Sequence, residues 1–501
     1  MKKLFWVIAI VIITCSCREN KEAPKIAQPV VISGNVQLRD SLILEKITIY
    51  GFDMWTKLPF QQDAIINDQG DFTTSIDFTR ANTLTFYGNN SFQILAIPGD
   101  SITVNYTESK DPDAFKNSIK FSGKTATTQK KLQAYLNGNP LKTDAFFEEG
   151  NQLDYRDLEK FIEKNTKKIQ DYYSIFLNDK TVNKFLKDYI NADKKFATLN
   201  IKMDYASYAN YYGKGTPEMN SSYYEDLNNL PKLEKQDLIN TTAVNNLLYN
   251  NHSFDSKEIE QKAPQATSIE IDQTIIETAM KKDSYLNQHT IAMLIMRDLN
   301  DHSTKLYENN ASYMDDYFTG SDLLPFMEQQ YFKTKDLLEK PQIPSEAQLL
   351  TFQSDDASKF IAEIVSNAKG KVIYIDHWAT WCGPCKAEFK EASPALHEKF
   401  KEEVEFIYLC HESKENGYIP SIAEFKIKGK HYFLTTKQGR IVQKQIELEG
   451  FPTYTIFDKK GNQVLSDYIH RPSYGPTSAI LSKLINEKEV NLKNTLSNYN
   501  E

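Results

Sequence analysis

The last third of the chain alternates apolar runs with amphipathic stretches, a pattern typical of buried strands separated by helices. Val372–Ile375 is a continuous apolar run that predicts a buried strand, and the amphipathic stretch that starts at Pro384 predicts the helix after it. Val404–Leu409 predicts a further strand, and Asp458–Gly461 has the composition of a hairpin turn. We therefore expect an α/β domain over residues 349–490.

Residues 30–108 carry shorter runs in which apolar and polar positions alternate. Val30–Leu38 and Ile47–Phe52 are examples, and turn sequences such as Asp68–Asp71 and Pro98–Asp100 separate the runs. Several short strands at this spacing predict an all-β, sandwich-like N-terminal domain.

Residues 109–340 have apolar side chains at helical spacing and predict a mainly α-helical middle domain. The clearest series is Leu158, Phe161, Ile162, Ile169, Tyr172, Tyr173 and Phe176. Pro341 and Pro344 cannot continue a helix, so residues 341–348 are predicted to be a stiff linker. Residues 491–501 are predicted to be a polar tail. The fold class is thus multidomain, with the α/β domain last.

The first residues have the pattern of an export signal. After a basic start, Leu4–Thr14 is apolar but too short to span a membrane as a mature helix. The run ends at Cys15 and Cys17, and residues 18–29 are polar and suit a tether. Residues 1–17 resemble a bacterial lipoprotein signal, which implies that Cys17, or alternatively Cys15, is acylated and anchors the chain to a lipid membrane. An ordinary signal peptide or an uncleaved anchor is the alternative. In either case the mature chain lies outside the cytoplasm.

Composition narrows the function classes. The 501 residues are 40% hydrophobic, 12% aromatic and 25% charged, which is typical of an ordered globular protein. The net charge of −8 gives no positive electrostatic potential that would attract nucleic acid, so no nucleic-acid partner is expected. No P-loop or GxGxxG sequence occurs, and we expect no cofactor.

The cysteine count indicates a protein that exchanges disulfides with other proteins, rather than one whose fold is stabilised by several disulfides. With Cys15 and Cys17 in the signal, only Cys382, Cys385 and Cys410 remain in a large exported chain. Since only one close pair is left, that pair is the candidate for redox chemistry.

The pair lies where the predicted strand becomes a helix, in the sequence Trp381-Cys382-Gly383-Pro384-Cys385. The first turn of a helix has free N–H groups and the positive end of the helix dipole, which stabilise a thiolate. Cys382 is therefore expected to be the more acidic and more nucleophilic thiol. The two intervening residues let Cys385 reach back to Cys382, and a proline is tolerated in the first turn because no N–H is needed there.

Trp378–Glu388 resembles the active site of thioredoxin and, more closely, that of bacterial thioredoxin-like thiol-disulfide oxidoreductases of the TlpA/ResA type. The resemblance covers about the last 150 residues. It implies a thioredoxin fold over residues 349–490 and a redox-active Cys382–Cys385 disulfide. It also implies that Trp381, Gly383 and Pro384 face the substrate.

Further residues match the family pattern. Asp376 matches the buried acid of thioredoxin, which takes a proton from Cys385; an exposed aspartate at a strand end is the alternative. Pro452 matches the cis-proline, which would let Phe451 pair with a client strand; an ordinary trans proline is the alternative. Glu388 matches a glutamate that lies near the disulfide in proteins of the TlpA/ResA type; a solvated glutamate on a helix face is the alternative. His377, in place of the usual phenylalanine, either tunes the site or packs in the core.

One position departs from the pattern. Thioredoxin and its relatives usually carry a proline five residues after the second cysteine, where it kinks the helix, and this chain has Lys390 there. We therefore expect a straighter active-site helix.

These residues predict an enzyme, a protein-disulfide reductase, on the periplasmic side of the cell envelope of a Gram-negative bacterium. Its partners would be client proteins with cysteine pairs and, as the resemblance implies, a membrane electron donor. Gly-Pro between the cysteines resembles reductive thioredoxins, which favours net reduction. The alternatives are a binding lipoprotein whose thioredoxin module serves one bound client, and a peroxiredoxin-like peroxidase. A zinc site would need about four ligands, and the sequence does not supply them, so no metal is expected.

Overall fold

The computed structural model describes residues 27–52, 59–78, 80–140, 149–150, 152–208, 233, 242–321 and 323–486. A region of strands comes first, a region of helices follows, and strands alternate with helices in the C-terminal part. This order confirms the predicted succession of N-terminal strands, helical middle and C-terminal α/β region. The predicted signal with Cys15 and Cys17, and the predicted polar tail, lie outside the described residues.

The N-terminal region is a sandwich of two four-stranded sheets, in the orders β4-β1-β7-β8 and β3-β2-β5-β6. Alternate side chains of each strand enter a shared apolar core, as Val30 and Ile32 do in β1 and Ile47 and Ile49 do in β2. The elements are β1 (Gln28–Leu38), β2 (Lys46–Phe52), β3 (Pro59–Ile65), β4 (Asp71–Phe78), β5 (Asn82–Tyr87), β6 (Ser91–Ala96), β7 (Ser101–Glu108), α1 (Pro112–Ser118) and β8 (Lys120–Ser122).

The sandwich continues beyond residue 108, where the sequence pattern ended it. After α1 the chain returns, and Lys120–Ser122 pairs antiparallel with β7. Phe115 of α1 and Phe121 of β8 both join the core of the sandwich. The predicted boundary falls too early because the returning strand is too short to show an alternating pattern.

The middle region consists of helices, which pack into two main apolar clusters. They are α2 (Ala126–Gly138), α3 (Tyr155–Leu177), α4 (Lys184–Tyr208), α5 (Thr242–Lys262), α6 (Ser268–Ala279), α7 (Tyr285–Asn300), α8 (Lys305–Tyr317) and α9 (Leu323–Glu339). Among the helices of the described residues, none is both long and apolar enough to cross a lipid bilayer.

The C-terminal region, which we call the redox module (residues 347–486), is a six-stranded sheet flanked by helices, in the order β14-β13-β10-β11-β12-β9. Strand β10 is central, parallel to β11 and antiparallel to β13, and all of its residues are buried. The elements are β9 (Ala347–Leu350), α10 (Phe360–Asn367), β10 (Val372–Trp378), α11 (Gly383–Glu391), α12 (Ser393–Phe400), β11 (Val404–Cys410), α13 (Glu415–Phe425), β12 (Gly429–Phe433), α14 (Thr436–Gln445), β13 (Thr453–Phe457), β14 (Gln463–Asp467) and α15 (Gly475–Asn486).

Three details of the redox module differ from the sequence predictions. Strand β9 begins at Ala347 and pairs with β12, so the sheet starts inside the predicted linker 341–348. The sequence pattern did not reveal β12 and α14, because the strand is short and α14 exposes most of its positions. The expectation of a straighter helix after the cysteines is wrong, since α11 ends at Glu391 and α12 begins at Ser393. Pro394 lacks the N–H that a continuous helix would need, so the break that a proline at position 390 would cause occurs a turn later.

Candidate functional site

The two cysteines begin helix α11 and are joined in a disulfide, with their Cα atoms 5.3 Å apart. Cys382 is the N-cap residue, and its Sγ accepts a hydrogen bond from the backbone N–H of Cys385 at 3.2 Å. Pro384 occupies the first turn. Because the free N–H groups and the positive end of the helix point at Cys382, the helix would stabilise a thiolate there when the disulfide is reduced.

An exposed surface borders this buried disulfide. The Trp381 side chain is 52% exposed, whereas Cys382 is 3% exposed and Cys385 is fully buried. The indole Nε1 of Trp381 donates to the backbone oxygen of Glu412 at 2.9 Å, and its ring packs edge-on against Phe451 at 5.7 Å. Gly383 is partly exposed and Pro384 is exposed.

The Phe451–Pro452 peptide bond is cis, as the family pattern implies. Phe451 packs against the apolar cluster that contains both cysteines. The structure therefore brings together the predicted client-facing residues, Trp381, Gly383, Pro384, Phe451 and Pro452, at one edge of the module.

Asp376 is buried in β10 and is only 1% exposed. Neither carboxyl oxygen has a hydrogen-bond partner among the described residues, which is rare for a buried carboxyl. Burial raises the pKa of Asp376 well above its usual value, and the nearby charge of Glu388 raises it further. The alternative of an exposed aspartate at a strand end is wrong, because the side chain is buried.

Glu388 lies on α11, close behind the cysteines, and is 4% exposed. Its carboxylate accepts hydrogen bonds from the backbone N–H of Ser473 at 2.9 Å and from the Ser473 hydroxyl at 2.7 Å. Burial raises the pKa of Glu388, although these hydrogen bonds oppose the rise. The alternative of a solvated glutamate on a helix face is wrong.

His377 packs in the core, as the second sequence interpretation had it. It is fully buried, with Nδ1 3.1 Å from His411 Nε2 and Nε2 3.1 Å from the Thr455 hydroxyl. Burial lowers the pKa of both histidines, that of His377 well below its usual value and that of His411 to about 3. The two rings are thus a neutral pair, and His411 packs against Phe451 at 5.3 Å. Sequence reasoning missed His411, because nothing in its local pattern distinguishes it from the other histidines.

Cys410, the remaining described cysteine, ends β11 and is fully buried. Burial raises its pKa to about 12, which keeps it as an unreactive thiol. Within the described ranges, no three His, Cys, Asp or Glu side chains converge as they would around a metal ion.

The helical region contacts the active-site helix directly, which the sequence did not reveal. Lys386 follows Cys385, and its Nζ donates to the backbone oxygen of Asn300 at 2.9 Å and lies 3.4 Å from an Asp301 carboxylate oxygen. The turn after α7 thus holds α11 in place.

A second contact links the same turn to helix α13. His302 Nε2 lies 3.0 Å from the Glu424 carboxylate, which also pairs with Lys333 of α9 at 2.6 Å. These contacts fix the redox module against the helical region.

Comparison with known proteins agrees with the architecture of the module. Residues 370–463 match a family model described as thioredoxin-like. The chloroplastic protein thioredoxin X of Arabidopsis thaliana is 29% identical over 85 residues, which are 17% of this chain and 43% of that protein.

Two solved structures also match part of the chain. The thioredoxin domain of a thiol-disulfide oxidoreductase from Bacteroides vulgatus is 20% identical, with 24% of this chain and 84% of that chain covered and a TM-score of 0.22. A thiol:disulfide interchange protein, DsbE, from Chlorobium tepidum is 22% identical, with 24% and 82% covered and a TM-score of 0.21.

Proposed function

We propose that this chain, which carries a thioredoxin-like domain, is a thiol-disulfide oxidoreductase that reduces disulfides of client proteins. One observation carries the proposal: a disulfide-forming cysteine pair at a helix N-terminus, with Cys382 receiving the hydrogen bond of the first turn. This arrangement makes one of the two thiols a good nucleophile and leaves the other to resolve the intermediate.

Reduction of a client would proceed in two exchanges. The Cys382 thiolate attacks one sulfur of the client disulfide, forms a mixed disulfide, and releases the other client sulfur as a thiolate. The Cys385 thiol then loses its proton and attacks Cys382, which restores the Cys382–Cys385 disulfide and releases the second client thiol. The client gains two electrons, and the enzyme disulfide must afterwards be reduced by another dithiol.

Asp376 is the proposed proton acceptor for Cys385. A buried carboxylate with a raised pKa and no hydrogen-bond partner is a stronger base than an exposed one, so it is suited to take the thiol proton. Glu388 would modulate this step through its charge. His377 would act only through packing, because it is neutral and buried.

The client strand is proposed to lie along Phe451 and Pro452, beside Trp381. The exposed Trp381 ring and the Phe451 ring meet at this edge, and a substrate strand there would bring its disulfide to the adjacent Cys382. Gly383 and Pro384 leave the approach open, since neither carries a long side chain.

The proposed place of action is the periplasmic side of a Gram-negative cell envelope. The export pattern of residues 1–17 supports this, with Cys17 or Cys15 as the acylated residue. In an oxidising compartment a reductase needs a source of electrons, so a membrane dithiol donor is proposed as the partner that regenerates the reduced enzyme.

Cysteine variants test the mechanism in an insulin-reduction assay with dithiothreitol as the electron source. We expect Cys382→Ser to abolish reduction and Cys385→Ser to accumulate mixed disulfides through Cys382. Cys410→Ser is the matched control and should retain activity, because that thiol is buried and unreactive. Activity that survives in Cys382→Ser, or mixed disulfides attached to Cys385 instead, would overturn the assigned roles.

A further inference from the structure

A cleft of about 820 Å³ separates the helical region from the redox module. Trp381 lines it, so the cleft opens beside the residue that precedes the nucleophilic cysteine. Its helical wall comes from α5 to α8 and the turns between them. Its opposite wall comes from the segments that follow β10 and β11 and from α13 and α14.

Hydrogen-bonding groups line the helical wall. Asp272 lies 3.1 Å from His252 Nε2 and accepts from Arg297 at 2.6 Å, so its charge is paired. The Arg297 side chain stays 40% exposed, and its guanidinium has further N–H groups that can bind a ligand. Lys305 and Glu260 add an exposed cation and an exposed carboxylate.

The opposite wall repeats this mixture of donors and acceptors. Lys414 and Arg440 are exposed cations, Asn416 is an exposed amide, and Glu412 is an exposed carboxylate. Charges also act across the cleft: burial raises the pKa of Asp298 on the helical wall, hydrogen bonds from Leu306 and Ser303 oppose the rise, and so does the charge of Lys414 on the opposite wall.

Contacts between the two regions hold the two walls of the cleft in place. Lys386 bonds to the turn after α7, and Glu424 bonds to both His302 and Lys333. The cleft is therefore formed before any ligand binds, and the wall from the helical region has a fixed position relative to the disulfide.

We infer that this cleft binds the extended polypeptide segment that flanks the disulfide of a client protein. The inference rests on the proposed function and adds that the helical region supplies half of the client site. Client selection would then depend on residues outside the thioredoxin-like domain.

The lining identifies a polypeptide as the occupant. Each residue of an extended chain offers one N–H donor and one C=O acceptor, which suits a cleft that carries donors and acceptors on both walls. Sites for small molecules are mostly apolar and enclose their ligand. A client strand that lies along Phe451 and passes Trp381 would also continue into the cleft, since Trp381 borders both.

The test compares a protein disulfide with a small one in the full-length enzyme. The ratio of kcat/KM for insulin to kcat/KM for 5,5′-dithiobis(2-nitrobenzoate) is measured in cleft variants and in matched controls. Asn416→Trp fills the cleft from the module side, and Asn309→Trp makes the same change on an exposed face of α8. Lys305→Glu reverses a charge on the helical wall, and Lys281→Glu reverses one outside it.

We expect the ratio to fall about fivefold or more in Asn416→Trp and Lys305→Glu and to stay at the wild-type value in the two controls. An unchanged ratio in both cleft variants would overturn the inference. An equal loss with both substrates also leaves the ratio unchanged and counts against the inference, since it would mean that the variants impair the enzyme in general and not the binding of a protein client. A wild-type enzyme that reduces neither substrate would instead refute the proposed function.

A second measurement does not depend on cleft variants. Insulin trapped on the Cys385→Ser enzyme as a mixed disulfide should slow hydrogen exchange in residues 298–305 and 412–416, whereas a trapped 2-nitro-5-thiobenzoate should not. Exchange that is unchanged in both segments when insulin is trapped would exclude the cleft as the client site.

Discussion

Asp376→Asn is expected to stabilise the protein and to slow its catalysis. The wild-type carboxyl is buried and unpartnered, and its pKa is raised well above the usual value by burial and then by Glu388. Ionising it inside the folded protein therefore costs free energy. Asparagine has nearly the same shape and cannot ionise, so the variant avoids that cost.

The sign of the pH dependence follows from proton uptake. An acid whose pKa is higher in the folded state than in the unfolded state binds more protons in the folded state over the interval between the two pKa values. The free energy of unfolding of the wild type therefore falls with rising pH by about 1.4 kcal/mol per pH unit in that interval. The stability of Asp376→Asn does not fall in this way, so its advantage over the wild type should be near zero below the usual aspartate pKa of about 4. The advantage should grow with rising pH until the pH passes the raised pKa of the folded protein.

Thermal unfolding followed by tryptophan fluorescence measures this difference, because Trp378 and Trp381 both lie in the redox module. Asp458→Asn is the matched control. The Asp458 carboxylate is also buried, but it accepts hydrogen bonds from Lys460 and Asn462, so its amidation should destabilise the protein. If Asp376→Asn were less stable than the wild type from pH 5 to pH 8, or if its advantage did not change with pH, the carboxyl would not carry a buried, raised pKa.

The same variant tests the catalytic role. Loss of a general base typically costs about 100-fold in rate, so the mixed disulfide should be resolved about 100-fold more slowly in Asp376→Asn. Rapid-quench measurement of the mixed disulfide would show this, and resolution at the wild-type rate would assign the proton transfer to another group.

Two further substitutions test the fold and the contact between its regions. Gly429→Ala should lower the free energy of unfolding in urea by about 1–3 kcal/mol, because Gly429 has a φ of 106° and an added Cβ would lie 2.8 Å from the Phe406 carbonyl oxygen. Gly450→Ala is the control. Its added Cβ would meet no heavy atom within 4 Å, so the free energy of unfolding should change by no more than about 0.5 kcal/mol. Glu424→Gln tests the interregion contact: burial raises the pKa of Glu424, but hydrogen bonds from His302 and Lys333 outweigh this and lower the pKa to about 2. The stabilisation is thus complete above the usual pKa of about 4.5 and is lost as pH falls toward 2, so the variant should be about 2 kcal/mol less stable at pH 7 and no less stable near pH 2. A deficit that persists at low pH would point to lost packing instead.

Much of the site could be predicted from the sequence because its signals are local. A buried strand that leads into Trp381–Cys385 and a helix can be recognised in one stretch of chain. The helix N-terminus then follows from the position of Pro384, and Asp376 and His377 follow from their place at the end of the same strand. The cis Phe451–Pro452 bond is distant in sequence, and only the resemblance to a known family pointed to it.

Other features depend on contacts that the local pattern does not contain. The helix is interrupted although position 390 is a lysine, because Pro394 lies in the first turn of α12, and the interruption falls at Ala392. His411 contacts His377 because β11 lies beside β10 in the sheet. The sequence pattern did not reveal β12, because the strand is too short to show an alternation of apolar and polar residues.

The sequence by itself determined which groups carry the proposed chemistry: two cysteines at a helix N-terminus and an acid in the adjoining strand. Only the tertiary structure decided which residues surround these groups and how deeply they are buried. It buried Asp376 without a partner, paired His377 with His411, and set a polar cleft of the helical region against Trp381. The reason is physical, since a helix end acts on the residues next to it in sequence, whereas burial and clefts arise from segments that are far apart along the chain.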